Sequence, residues 1–133
     1  STDVSSGNAK SYIQSGSHGS LNIYLEASDV QNDITVTWQN KDHAAKVEIV
    51  TPSGERYSEE ATPSNLFVND YGKQVFRLPR LEAGNYTINV NGSDLGRVWV
   101  DNTQVGTDAA PVADAAQPAE TEAETEAETQ AAQ

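Results

Sequence analysis

Residues 81–92, LEAGNYTINVNG, decide how the rest of the chain is read. Gly84 stands two residues before Tyr86, and from Tyr86 apolar and polar residues alternate through Ile88 and Val90 to the turn pair Asn91-Gly92. A period of two marks a strand with one buried face. Glycine ahead of such a strand permits a tight turn without a Cβ clash. A tyrosine at that point can lay its ring over the core edge while its hydroxyl bonds backbone upstream, the device called a tyrosine corner. Gly84 and Tyr86 are therefore expected to be structural residues at one corner of a β-sandwich.

The same period recurs outward from this stretch. Leu21, Ile23 and Leu25 alternate with polar neighbours, as do Ile34, Val36 and Trp38, then Val47 and Ile49. TPSG at 51–54 follows as a turn, with Pro52 pre-setting φ and Gly54 free to take positive φ, and Glu55 to Ser58 can return as a short strand. Phe76 with Leu78, and Val98 with Val100, supply two more inward pairs. Pro63 stops a helical turn around Ser58 to Ala61 from growing, so 57–70 is expected to cross between sheets. The pattern predicts an all-β fold: an antiparallel two-sheet β-sandwich of about seven short strands, immunoglobulin-like or jelly-roll-like. Trp38 shares phase with Ile34 and Val36 and belongs to its core.

Composition sets the domain limits. Of 133 residues, those up to Asn102 carry all eight Lys and Arg against thirteen acids, whereas the remainder carries seven acids and no base. Residues 19–102 read as the sandwich and 1–18, rich in Ser and Gly, as a flexible N-terminal segment in which only Tyr12 and Ile13 can dock. Residues 103–133 read as a disordered acidic tail, because the ETEA repeat stacks Glu120, Glu124 and Glu128 at like-charge i,i+4 spacing and its threonines are poor helix formers. Such a tail serves either as a tether to another domain or anchor, or as a solubilising terminus. The net charge of −12, with no two basic residues adjacent, disfavours nucleic acid and anionic membranes as partners. No run of 18 apolar residues exists to insert into a bilayer. Cysteine is absent, which removes disulfides and Cys-ligated zinc from consideration.

Three segments together, ITVTW at 34–38, VEIVTPSG at 47–54 and LEAGNYTINV at 81–90, resemble bacterial pre-peptidase C-terminal-like and immunoglobulin-like β-sandwich domains. The resemblance covers about Leu21 to Asp101. It implies an exported bacterial module, extracellular or on the cell surface, without catalysis of its own. Ile88 occupies the position where antibody domains carry a disulfide cysteine, so the chain departs from that branch.

Candidate chemistry is sparse. Both histidines, His18 in SGSHGS and His43 in NKDHAAK, read as exposed loop residues. A triad of Ser53, His43 and Asp42 can be written on paper, yet no G-x-S-x-G elbow supports it, and no enzyme activity is expected. No cofactor motif is present. Calcium is the one ion the loops admit, with Asp29, Asp33, Asp70 and Asp94 as its candidate ligands, since some relatives of the resembled domains bind it. Parity places Trp99 and Tyr24 on outward faces, where aromatics stack on sugar rings or anchor proteins. The chain is accordingly expected to be a non-catalytic binding, adhesion or spacer module whose partner is protein or carbohydrate at the cell surface. The alternative is a carbohydrate-binding accessory domain of a secreted enzyme, with Trp99 and Tyr24 as the stacking platform.

Overall fold

The computed structural model describes residues 10–13 and 16–105. The tail read as a disordered linker lies outside them from residue 106. Among the described residues nine strands form: β1 Lys10–Ile13, β2 His18–Leu25, β3 Asn32–Trp38, β4 Lys46–Val50, β5 Arg56–Ser58, β6 Phe67–Asp70, β7 Lys73–Leu78, β8 Gly84–Asn91 and β9 Arg97–Gln104. They build a five-stranded sheet in the order β1-β9-β3-β7-β6 and a four-stranded sheet in the order β2-β8-β4-β5. Every pairing is antiparallel.

The pairings nest. β1 pairs β9, β2 pairs β8, β3 pairs β7 and β4 pairs β5, as though one long hairpin had been folded at the β4–β5 turn and rolled up. Rolling brings β9 against β3 and β8 against β4, which closes the two sheets. This is the jelly-roll order, with β6 added as an edge beside β7. Of the two sandwich types the sequence allows, the chain adopts this one.

Alternation does the packing. Ile34, Val36 and Trp38, Val47 and Ile49, Phe76 and Leu78, Tyr86, Ile88 and Val90, and Val98 and Val100 are all buried in one core shared by the two sheets. Ile23 and Leu25 of β2 and, from the connections, Leu81 and Leu95 complete it. The Trp38 indole N–H donates to the His43 carbonyl at 2.8 Å, which satisfies the one polar atom that this ring carries inward.

Four sequence expectations need correction. Lys10–Ile13 is an edge strand on β9 and His18 opens β2, so the sheets begin inside the segment read as flexible, and β9 continues past Asn102 to Gln104. β6 was not anticipated. Its residues are Phe67 and Asn69 facing inward and Val68 facing out, a pattern too short and too mixed to announce itself, yet Asp70 and Lys73 close a hairpin across Tyr71-Gly72. The crossover turns at residues 59–61, where a turn was expected, and adds a 3₁₀ turn at Ser64–Leu66 after Pro63. Asn91 stays within β8, and the chain turns through Ser93 and Asp94 to change sheets, two residues after the Asn-Gly pair that was expected to form the turn.

Gly84 does more than open a turn. Its φ is +141°, and an added Cβ would lie 2.7 Å from Pro52 Cγ, so the TPSG turn packs directly on the glycine backbone. Gly84→Ala is expected to cost about 1–3 kcal/mol by urea unfolding, since the side chain meets both a φ reserved for glycine and the proline ring. A loss under a few tenths would mean that the turn swings away freely.

Candidate functional site

The sandwich has two ends, fixed by β3: the Asn32 end, shared with Leu78 and Gln104, and the Trp38 end, shared with Lys73 and Val98. At the Trp38 end the loops are tied together by backbone bonds, Trp38 N–H to the Gly72 carbonyl at 3.0 Å, Gln39 N–H to Arg97 at 2.9 Å and Asn40 N–H to Leu95 at 3.0 Å. His43 joins them through Nδ1, 2.7 Å from the Ser93 carbonyl. It is half-buried and structural, contrary to its expected place as an exposed loop residue. His18 is exposed, but it stands on β2 beside Asn91, with Nδ1 2.7 Å from Oδ1.

These two ends separate the residues that chemistry would need together. Ser53 lies in the β4–β5 turn at the Asn32 end and His43 precedes β4 at the other, with that strand's length, about 16 Å, between them. Ser53 donates from N and Oγ to the Glu82 carboxylate, at 3.2 and 2.6 Å, which holds the Glu82 carboxyl below its usual pKa. Asp42 accepts a hydrogen bond from the Tyr71 hydroxyl, which raises the pKa of that phenol. The paper triad is not assembled.

The four candidate calcium ligands are likewise divided. Asp29 and Asp33 belong to the Asn32 end, whereas Asp70, opposite Lys73, and Asp94, whose carbonyl takes the Asn40 amide, belong to the Trp38 end. Asp33 is committed to Arg77, with Nε–Oδ1 at 2.8 Å and Nη2–Oδ2 at 3.3 Å. Asp70 Oδ1 accepts from the Tyr71 amide at 2.7 Å. Among the described residues, no three His, Cys, Asp or Glu side chains gather to hold a metal ion.

Trp99 and Tyr24 both face outward, as parity required, at 39% and 57% exposure. They do not form one platform. Trp99 lies on β9 of the five-stranded sheet near its Trp38 end, and Tyr24 on β2 of the four-stranded sheet near the other end, so they point away from opposite faces. The companions of Trp99 are residues the sequence reading passed over as ligand contacts. Ile13, 67% exposed, sits on β1 opposite Arg97, and Tyr71, 64% exposed, caps the β6–β7 hairpin. One row of the outer face runs Ser11, Trp99, Thr37, Lys73 across four strands, at steps of about 5 Å. Arg97 Nη1 reaches Ser11 Oγ at 3.2 Å. Parity alone would have placed Ile13 outward once Tyr12 was docked. Tyr71 was signalled only by the Tyr-Gly pair between two apolar runs.

No protein-family model matches the chain, and no curated protein sequence matches it.

Proposed function

We propose that the chain is a non-catalytic β-sandwich binding module, displayed outside a cell, whose contact surface is the outer face of the five-stranded sheet around Trp99. The observation that carries this reading is that Ile13, Tyr71 and Trp99, three of the four large apolar side chains left exposed among the described residues, lie at one end of the sandwich. Single exposed apolar residues are ordinary, but aromatic side chains gathered on one surface anchor partners. His43, Ser53 and Asp42 are spent on holding loops together. The extracellular setting rests on the resemblance of the three segments.

Carbohydrate is favoured over protein as the partner by the Ser11, Trp99, Thr37, Lys73 row. An exposed indole on a flat sheet face suits the C–H face of a sugar ring, and hydroxyl and cationic groups on either side suit its hydroxyls. Tyr24 is no part of this surface.

Trp38 is buried and Trp99 exposed, so ligand-induced changes in tryptophan emission report on Trp99. Titration with neutral cell-wall and plant polysaccharides is expected to shift that emission. Trp99→Ala is expected to weaken retention by about thirtyfold, the equivalent of about 2 kcal/mol for a central aromatic contact. Tyr24→Ala should leave retention unchanged. Equal binding by Trp99→Ala and the parent chain would overturn the assignment of this face.

A further inference from the structure

The two sheets have four edges, and they are not equally protected. β1, β5 and β6 are short, at 4, 3 and 4 residues. β5 and β6 also carry charges, Arg56 and Asp70. β2 differs: it runs for 8 residues, HGSLNIYL, in unbroken register with β8, and holds no Lys, Arg, Asp, Glu or Pro. Proteins normally blunt an edge by shortness, charge, proline, a bulge or a covering segment, and among the described residues β2 has none of these.

The backbone of β2 alternates in what it offers. Gly92 N–H bonds the Ser17 carbonyl at 3.0 Å, which makes Ser17–Gly92 a hydrogen-bonded pair. In an antiparallel ladder such pairs alternate, so Gly19, Leu21, Ile23 and Leu25 turn their N–H and C=O groups to β8. Those of Ser20, Asn22 and Tyr24 then point to the open edge. The side chains on the flanking outer surface, Ser20, Asn22 and Tyr24 on β2 and Asn85, Thr87 and Asn89 on β8, are neutral. In a chain of net charge −12, this strip is where a second copy can approach without meeting like charge.

We propose that two copies of the chain join edge to edge by antiparallel pairing of β2 with β2, about a twofold axis at Asn22. That register is self-consistent. Asn22 meets its own counterpart, and Ser20 meets Tyr24, all through their edge-facing backbone groups. Inward Leu21 faces inward Ile23 of the other copy, so the half-buried Leu21 and the exposed Tyr24 both gain cover. The two four-stranded sheets become one continuous sheet, and the outer faces bearing Trp99 stay open, giving a bivalent particle.

Sedimentation and amide exchange on the full chain test this together. As concentration rises, the mass is expected to double, and exchange at Ser20, Asn22 and Tyr24 to slow by at least about tenfold while Gly19, Leu21 and Ile23 stay constant. Asn22→Lys, which sets two cations face to face on the axis, should return the chain to monomer with its melting curve retained. A mass that never rises, with the three edge amides exchanging freely, would overturn the proposal. So would protection of those amides in a monomer that vanishes when residues 1–9 are deleted, since the chain's own N-terminal segment would then be the occupant.

Discussion

Replacing Asp33 with alanine is expected to destabilise the sandwich by about 3–5 kcal/mol, a cost that comes from the partner left behind. Asp33 and Arg77 sit directly opposite one another on β3 and β7, on the outer face of the five-stranded sheet. Even there Arg77 is only 6% exposed. The two-point bond, Nε–Oδ1 at 2.8 Å and Nη2–Oδ2 at 3.3 Å, offsets the loss of hydration. Without the carboxylate the cation remains desolvated and loses the two-point bond that Asp33 makes to it. Arg56 and Glu48 make a bond of the same 2.8 Å length at the surface, where solvent screens it, and Arg56→Ala should cost less than about 1 kcal/mol. The paired variant Asp33→Leu with Arg77→Met should recover most of the loss. Urea unfolding of the three variants decides the matter: an Asp33→Ala cost as small as that of Arg56→Ala would show the Arg77 site to be open to water.

The contrast between Asp33 as a supposed calcium ligand and Asp33 as the partner of Arg77 shows where a local pattern stops being informative. Period two tells which face of its own strand a residue occupies, and that was enough to place Trp38, Tyr86, Val98 and Val100 inward and Trp99 outward. It does not tell which sheet the strand joins. Trp99 and Tyr24 have the same parity yet look away from opposite faces, because β9 and β2 belong to different sheets. The same ignorance allowed four aspartates to be grouped that the rolled hairpin sends in pairs to opposite ends. Elements were missed where the alternation was diluted. β6 contributes one apolar residue to the core side, and β7 was read from Phe76 and Leu78 alone, since it buries its outward Val75 and Arg77 as well as its inward residues. Ile13 and Tyr71, by contrast, were within reach: both flank a turn, and both are large apolar side chains that no inward pattern claims.

Tyr86 carries the second large effect, and it separates packing from hydrogen bonding at a single residue. Its ring is fully buried and its hydroxyl donates to the Glu82 carbonyl at 2.7 Å. Tyr86→Ala empties a core site of aromatic size and is expected to cost about 3–5 kcal/mol. Tyr86→Phe keeps the packing and removes the bond, for about 1–2 kcal/mol. Because the Glu82 carboxylate also holds Ser53, that one residue fastens the β8 entry with its carbonyl and the TPSG turn with its side chain. Two of the three segments that suggested the fold thus meet at Glu82. Burial pushes the Tyr86 phenol up from 10.0 to about 12. A raised pKa means the native state holds a proton that the unfolded chain gives up, so the associated stability is complete below pH 10 and is lost as pH climbs through 12. The parent chain should therefore lose stability over that interval, and Tyr86→Phe should show a shallower slope, with the half-buried Tyr57 and Tyr12 and the Asp42-bonded Tyr71 contributing to what remains. If the phenylalanine variant matched the parent in both urea midpoint and alkaline slope, the tyrosine would be a space-filler, and the corner would be held by Gly84 against Pro52 alone.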